Sequence, residues 1–397
     1  MPALTMRGPI LVSNGDTAIG LAMIRSLARH GVETHTSVSD PQGLGQYSRY
    51  TRSVLRLPRQ INEAVVKTID DYCRLNHITH VLAVSEPSII FLNKHRDWFE
   101  PRVRLLFPPQ EIFNRALYKD QTFEIAKRCG IEVPKSFTPH TVEEAEAWTG
   151  LHYPVILKPR HRDSALGTKP VYLLKSERAD TRTEMILKLR SYEASGELPM
   201  VQEFVAGTGL GVSAVMRNGN PVCLIQHRRL REYPPSGGVS VYCESMNESP
   251  DLVERSVALL RALDWEGVAM VEYRYDELSG NCWLMEVNGR FWGSLPLALH
   301  AGVEFPYLLY RSCFETVECQ RATPGVRARA LAGDTKWLIA VLRNGGISRG
   351  RAVWDYLRAF HTATKYFVWA LDDPKPAIMN FLNRFKPSWI QSEANRD

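Results

Sequence analysis

The sequence predicts an α/β fold, because short apolar runs with strand character alternate with amphipathic helical segments near its start. Residues 9–13 form such a run, residues 21–30 have helical periodicity that ends before Gly31, and residues 32–38 return to a strand pattern. Another buried strand follows at residues 81–84. Strands that alternate with helices are typical of a parallel sheet covered by helices. We therefore expect the first part of the chain to be Rossmann-like.

The composition is that of a folded globular protein. Of 397 residues, 44% are hydrophobic and 23% are charged, which excludes a wholly disordered chain. No apolar run reaches the ~18 residues of a membrane span. The 7 cysteines form no CxxC pair, and no apolar signal core precedes Pro9. These features predict a reduced, cytoplasmic protein.

The net charge of +6 comes from the C-terminal part of the chain. Residues 322–397 carry 12 Lys and Arg against 6 Asp and Glu, and the rest is balanced, so we expect no nucleic-acid partner. Segments 336–342, 352–370 and 377–385 have helical, aromatic character. We expect them to form a cap on the rest of the protein. Peripheral membrane contact is the less favoured alternative, because the basic residues are dispersed rather than aligned.

The glycine turn after the first strand has two open interpretations. Gly15 and Gly20 are separated by four residues, which is not the GxGxxG spacing, and no acidic residue ends the second strand. The pattern therefore does not favour NAD binding. The turn is either structural or cradles part of a substrate.

The most informative segment is a predicted hairpin formed by residues 268–276 and 282–288. Alternation along a strand places Glu286 and Asn288 on one face, and the turn places Glu272 opposite or diagonal to Glu286. Carboxylates among apolar neighbours repel each other unless a cation or a proton intervenes. Oxygen ligands of this kind suit Mg²⁺. The alternative is a solvated hairpin edge with ordinary charges.

Two further segments could face a nucleotide. Lys158 ends an apolar strand, and the donor-rich loop that follows it, which contains Lys169, could fold over phosphate groups. The extended segment 202–205 could offer its backbone to an adenine edge, although almost any edge strand could do so.

A basic segment is the candidate site for a substrate carboxylate. Alternation predicts that Arg229 and Arg231 share a face with His227, whereas Arg228 points the other way. Arginine binds carboxylates and phosphates through two parallel hydrogen bonds. The loop Ser236, Gly237 and Gly238 could approach a ligand with its backbone. The alternative is a basic surface strand.

In this order the segments resemble the ATP-grasp superfamily of carboxylate–amine ligases, over roughly residues 9–312. Glu286-Val-Asn-Gly-Arg290 is the most specific motif, and Lys119-Asp120 followed by 130–134 is similar to another family segment. The resemblance implies an α/β, grasp-type layout with these parts: a Rossmann-like pre-grasp domain (1–109), an ATP-grasp domain (110–320) with a nucleotide-side subdomain (110–206) and a metal- and substrate-side subdomain (207–320), and a helical C-terminal extension (321–397).

The resemblance also implies roles for individual residues. Phosphate would be contacted by Lys119, Lys158 and Lys169; adenine by Gln202, the carbonyl of Glu203 and the amide of Val205; Mg²⁺, or Mn²⁺ in its place, by Glu272, Glu286 and Asn288; the transferred phosphate by Arg290 and Arg229; and the substrate by His227, Arg228, Arg231, Ser236, Gly237 and Gly238. The acid that binds ribose in the family is absent, since Thr208 and Gly209 follow the hinge.

The function that this resemblance implies is an ATP-dependent, ADP-forming ligase. It would join a small-molecule carboxylate to an amine through an acyl phosphate. Two alternatives stay open: a kinase-type phosphotransferase on the same fold, and a non-catalytic nucleotide-binding regulator, which the missing ribose acid suggests. The pattern is also compatible with a homodimer.

Overall fold

The computed structural model describes residues 7–58, 62–100, 102–159, 176–193, 197–344, 348–361 and 363–383. Lys169 lies outside these ranges, so its predicted phosphate contact stays a prediction. Within the described residues, three β-sheets organise the chain. None of the helices described is long and apolar enough to cross a membrane.

The first sheet is parallel, as the β-α-β pattern predicts. Its order is β3-β2-β1-β4-β5, with the buried β1 in the middle. Its strands are β1 (Ile10–Ser13), β2 (Thr34–Val38), β3 (Val54–Arg56), β4 (His80–Ala83) and β5 (Arg104–Leu105), and its helices are α1 (Ala18–Arg29), α2 (Glu63–Leu75), α3 (Glu86–Lys94) and α4 (Arg96–Phe99).

The glycine turn between β1 and α1 packs tightly against neighbouring residues of the first sheet and of the turn. A Cβ on Gly15 would lie 2.0 Å from Oγ1 of Thr36, and a Cβ on Gly20 would lie 2.6 Å from Cα of Gly15. The side chain of Asp16 accepts hydrogen bonds from the backbone amides that follow β2. These contacts favour the structural interpretation of the turn.

The second sheet is small and antiparallel, with the order β6-β9-β7-β8. It places the end of β7, Lys158, beside the start of β9, Met200. The elements of this region are β6 (Ser136–Phe137), β7 (Val155–Lys158), β8 (Glu177–Ala179), β9 (Met200–Glu203), α5 (Gln110–Leu117), α6 (Lys119–Arg128), α7 (Val142–Ala147) and α8 (Arg182–Tyr192).

The third sheet is the largest and carries the predicted hairpin at one edge. Its order is β14-β13-β10-β11-β12-β16-β17, and β15 pairs with β11. Its elements are β10 (Thr208–Arg217), β11 (Asn220–Tyr233), β12 (Val239–Ser245), β13 (Gly267–Tyr275), β14 (Cys282–Asn288), β15 (Gln320–Arg321), β16 (Arg327–Arg329), β17 (Lys365–Tyr366), α9 (Pro250–Ala262), α10 (Leu295–His300) and α11 (Phe305–Arg311).

The C-terminal segment packs on this sheet and on the first one. It contains α12 (Leu331–Asn344), α13 (Arg349–His361) and α14 (Lys375–Leu382). The prediction of one helix over 352–370 is wrong, because the helix ends at His361 and the chain then pairs with β16 as β17. Backbone pairing with the sheet outweighs the helical periodicity there. Asp373, which is buried, receives hydrogen bonds from Arg25 of α1 and from Ser48, which lies between β2 and β3.

A buried charge cluster holds α12 against the sheet. Asp334 of α12 lies 2.7 Å from Nε of Arg231 and 2.8 Å from Nη2 of Arg329. All three are buried, and the ring of Tyr356 from α13 lies 4.6 Å from the Arg329 guanidinium. The cluster therefore joins β11, β16, α12 and α13.

Replacing Asp334 with alanine would leave two buried arginines without their carboxylate. We expect this change to lower the free energy of unfolding by about 3–5 kcal/mol, measured by chemical denaturation at neutral pH. The control is Asp355→Ala, because Asp355 is half-exposed and its pair with Arg351 spans 3.9 Å. Losses of similar size in the two variants would contradict the importance of the buried cluster.

Candidate active site

The predicted hairpin brings its two acidic residues together. Glu272 on β13 is the direct register partner of Glu286 on β14, as the strand alternation predicts. Asn288 follows on the same face, and its Nδ2 donates to Oε1 of Glu286 at 3.1 Å. The β-bulge that follows Glu272 leaves this pairing intact. Two carboxylates and an amide therefore meet at one edge of the large sheet.

Basic side chains surround this acidic pair. Nζ of Lys119, the first residue of α6, lies 3.5 Å from Oε2 of Glu286. Nη2 of Arg229 lies 2.5 Å from Oε2 of Glu272. Burial raises the pKa of Glu272, and the nearby Glu286 raises it further, whereas Arg229 lowers it. The site thus carries repulsion between carboxylates that a bound cation would relieve.

The donor set fits a hard divalent cation. Glu272, Glu286 and Asn288 can supply carboxylate and amide oxygens, which are the ligands that Mg²⁺ prefers. Only two of these residues are acidic, and the described ranges contain no cluster of three or more His, Cys, Asp or Glu that could hold a metal alone. A metal here would need further oxygens, and phosphate groups and water commonly supply them to Mg²⁺.

Arg229 belongs to a network that sequence reasoning missed. Its Nη1 donates to Oε1 of Glu232 at 3.1 Å, and the other carboxylate oxygen of Glu232 accepts from Nη2 of Arg274 at 3.0 Å. A Cβ on Gly209 would lie 2.7 Å from Cδ of Arg229 and 2.9 Å from the Glu232 carboxylate. Arg229 and Glu232 therefore lie directly over Gly209, where no side chain could fit without displacing them.

A cavity of about 360 Å³ connects this network to the small sheet. It is bordered by the hairpin on one side and by β7 and β9 on the other. The predicted residues that line it are Lys119, Lys158, Gln202, Glu203, Val205, Arg229, Ser236, Gly237, Gly238, Glu272 and Glu286. Ile156 and Met285 contribute apolar walls. The cavity therefore gathers most of the residues that the sequence assigned to nucleotide, metal and substrate.

The end of β9, which borders the cavity, is held in place by backbone hydrogen bonds. The amide of Glu203 donates to the carbonyl of Lys135, and the amide of Phe204 donates to the carbonyl of Pro154. The buried side chain of Gln202 has no partner for its Nε2 among the described residues. Arg178, which no sequence motif indicated, also lines the cavity, and its guanidinium lies 5.0 Å from the Phe204 ring.

Lys158 enters the cavity with an altered pKa. Burial lowers the pKa of this ammonium group to about 8, although Glu286 and Glu272 favour its charged form. The nearby cations Lys119 and Arg274 lower the pKa of Lys158 further, as burial does. The protonated fraction of Lys158 therefore changes within an accessible pH range.

This pKa predicts how nucleotide affinity depends on pH. If Lys158 contacts phosphate as predicted, it would attract phosphate as a charged group below about pH 8, whereas above that pH binding would have to recover a proton. We expect the ATP dissociation constant to rise up to about tenfold per pH unit above this value, measured by calorimetric titration in several buffers. Lys158→Arg should flatten the profile because arginine stays charged. An equal slope in the variant would contradict the role of Lys158.

Three predicted substrate residues do not line the cavity. The prediction that Arg231 shares a face with Arg229 is wrong, because β-bulges on both sides of Arg231 turn it towards α12. Arg228 pairs with Glu244 at 2.6 Å. His227 lies on the same face of the large sheet as Glu272, but it is buried beside Trp292. Burial lowers the pKa of its imidazole to about 3. None of them is placed to bind a substrate in this cavity.

Arg290 links the acidic hairpin to α3, a helix of the first sheet region. Its Nη2 donates to Oδ1 of Asn288 at 3.2 Å, and its Nε donates to Oε1 of Glu86 at 3.0 Å. Glu86 is the first residue of α3, and the side chain of Ser85 caps that helix. Glu86 is 204 residues away in sequence, so no local pattern could have indicated this contact.

Comparisons with known proteins identify relatives of this arrangement. Residues 197–333 match a family described as ATP-grasp in the biosynthetic pathway with Ter operon. A D-alanine–D-alanine ligase of Caulobacter sp. (strain K31) is 25% identical over 266 residues, which cover 59% of this chain and 78% of the relative. The matched family region includes β10 to β14 and therefore the acidic hairpin.

Crystal structures of low sequence identity share the fold. The L-amino acid ligase from Bacillus licheniformis superposes with a TM-score of 0.61 at 17% identity, over 79% of this chain and 76% of that one. The biotin carboxylase domain dimer of the 2-oxoglutarate carboxylase from Hydrogenobacter thermophilus, in complex with MgADP, gives 0.62 at 14% identity, over 81% and 74%.

Proposed function

We propose that this chain is an ATP-grasp enzyme, namely an ADP-forming ligase that joins a small-molecule carboxylate to an amine, and the family match and the D-alanine–D-alanine ligase relative support this proposal. The observation that carries the proposal is the facing pair Glu272 and Glu286, which lies with Lys119 and Arg229 in a cavity that reaches β9. Residues 1–109 would act as the pre-grasp domain, residues 110–320 as the ATP-grasp domain and residues 321–397 as an extension.

ATP would occupy the cavity with its base against β9. Ile156 and Met285 offer apolar surfaces for the adenine ring, and the carbonyl of Glu203 and the amide of Val205 would pair with its edge. Lys158 and Lys119 would neutralise phosphate oxygens, since both line the cavity and both lie near Glu286. This orientation directs the terminal phosphate towards the acidic hairpin.

Glu272, Glu286 and Asn288 would hold Mg²⁺ at the phosphate end. Bound there, the ion supplies positive charge to the terminal phosphate oxygens and so favours nucleophilic attack on phosphorus. The protein's own cations act on the same charge. Arg229 contacts Glu272, and Arg290 contacts Asn288, so both guanidinium groups lie beside the predicted ligands.

The reaction would proceed in two steps. A carboxylate oxygen attacks the γ-phosphorus of ATP, the bond to the bridging oxygen breaks, and ADP leaves with that electron pair. The neutral amine then attacks the acyl carbon, inorganic phosphate leaves, and the amine nitrogen releases a proton. Catalysis would come mainly from positioning and from charge neutralisation, as expected for phosphoryl transfer.

The substrate carboxylate would bind beside Arg229 and the loop 236–238. Nη1 of Arg229 donates to the carbonyl of Gly238 at 3.1 Å, which fixes the guanidinium next to this loop. Ser236, Gly237 and Gly238 line the same cavity as the acidic pair. An entering carboxylate would therefore meet a fixed cation near the terminal phosphate.

The test is a screen of amino acids and hydroxy acids in pairs, with ADP release and mass spectrometry of condensed products as readouts. A ligase releases inorganic phosphate and forms a condensed product when both a carboxylate and an amine are present. Phosphate that stays on a single substrate would instead identify a phosphotransferase. Tight ATP binding without turnover across the panel would favour a nucleotide-binding regulator.

A further inference from the structure

Helix α13 exposes an apolar strip on the outer side of the C-terminal segment. Ala352 and Ala359 are buried, whereas Trp354, Leu357 and Phe360 are 64%, 49% and 47% exposed. A spacing of three residues on an α-helix places these three within about 120° of its circumference. We call Trp354, Leu357 and Phe360 the α13 strip.

Arginines border the α13 strip. Helical geometry places the exposed Arg351 and Arg358 along one edge of the strip and the exposed Arg349 near the other. Asp355 is the single acidic residue of α13, and it lies 3.9 Å from Arg351. The helix therefore combines aromatic and aliphatic side chains with a positive border.

The other acidic residues of the C-terminal segment are engaged elsewhere. Among the described residues from 331 to 383, Asp334 pairs with two buried arginines, and Asp372 and Asp373 pair with Arg29 and Arg25 of α1. The basic residues in the same range remain at the surface: Lys336, Arg343, Arg349, Arg351, Arg358, Lys365 and Lys375. The exposed charge of this segment is thus more positive than its sequence indicates.

We propose that α13 docks on an anionic lipid surface, with the α13 strip among the acyl chains and its arginines at the phosphate headgroups. A helix with an aromatic and aliphatic side and a basic border is suited to this interface. α13 has 13 residues, so it would lie in the plane of the surface rather than span it. This proposal is independent of the ligase reaction.

The charge distribution argues against the other occupants. A second copy packed on the α13 strip would bring the positive borders of both chains close to each other, which is unfavourable. A nucleic acid would engage the arginines but would leave Trp354 and Leu357 uncovered. An anionic bilayer supplies both an apolar layer and negative charge.

The proposal is tested by sedimentation of the full-length chain with lipid vesicles. We expect binding to vesicles of phosphatidylcholine with phosphatidylglycerol and much weaker binding to phosphatidylcholine alone. The variant Trp354→Ser/Leu357→Ser should bind the mixed vesicles at least about tenfold more weakly, because it removes the apolar area that the lipid would bury. It leaves Phe360 in place, since that ring covers Arg329 at 4.3 Å.

A second variant separates the electrostatic contribution. Arg351→Gln/Arg358→Gln should weaken binding about tenfold or more, because each basic residue near an anionic surface contributes on the order of 1 kcal/mol. The control is Leu75→Ser at the end of α2, which is 79% exposed and should bind like the wild type. Circular dichroism checks that all variants fold.

Three outcomes would overturn the proposal. The first is no binding to the mixed vesicles, and the second is equal binding by the wild type and by Trp354→Ser/Leu357→Ser. The third is a wild-type dimer in sedimentation equilibrium that becomes a monomer in the same variant, because the α13 strip would then be a contact between two copies.

Discussion

Glu286→Gln is expected to lower ATP turnover by about 1000-fold or more, because it removes a charged oxygen from the proposed binding site for Mg²⁺ and the terminal phosphate. Glu286 faces Glu272, contacts Lys119 and accepts a hydrogen bond from Asn288. No other described acidic residue is paired with Glu272 across the hairpin. The measurement is ADP release under saturating substrates.

The fold of this variant should persist. Glu286 raises the pKa of the buried Glu272 carboxyl, so neutralising Glu286 relieves repulsion in the folded state. We expect a thermal midpoint equal to or above that of the wild type. Glu277→Gln, in the exposed turn of the same hairpin, is the matched control and should keep full turnover. Wild-type rates in Glu286→Gln would rule out this role for the hairpin.

Arg290→Lys is expected to lower turnover by about 100- to 1000-fold while ATP affinity changes little. The guanidinium contacts Asn288 and Glu86 at once, and a lysine keeps the charge but cannot reproduce both contacts. Because Arg290 does not line the cavity proposed to bind the nucleotide, the loss should appear in kcat rather than in binding. Rapid-quench measurement of ADP formation separates these two effects.

The matched control for this exchange is Arg217→Lys. Arg217 lies at the end of β10 and pairs with Glu266 at 3.4 Å, away from the cavity. It should retain wild-type turnover. Equal kcat values for Arg290→Lys and Arg217→Lys would show that the link between α3 and the hairpin has no part in the chemistry.

The acidic hairpin was predictable because it is local. Two strands joined by a short turn follow a period of two, so the positions of Glu272, Glu286 and Asn288 are set within about twenty residues of sequence. The parallel first sheet was predictable for a similar reason, since strand and helix patterns alternate in order along the chain. In both cases neighbouring residues carry the information.

The features that sequence reasoning missed depend on irregular strands or on distant contacts. The bulges in β11 separate Arg231 from Arg229 and allow Glu232 to bridge Arg229 and Arg274. Alternation cannot reveal a bulge, because it assumes a regular strand. Likewise, β17 forms only because β16 is present to pair with it.

The route of the oxygen atoms distinguishes an acyl-phosphate intermediate from the alternatives. Using the substrate pair found in the screen, the carboxylate is labelled with ¹⁸O, and the released inorganic phosphate is analysed by mass spectrometry. Attack of the carboxylate on the γ-phosphorus predicts that each phosphate carries one labelled oxygen. Unlabelled phosphate accompanying a condensed product would contradict the acyl-phosphate route and the arrangement proposed around Glu272 and Glu286.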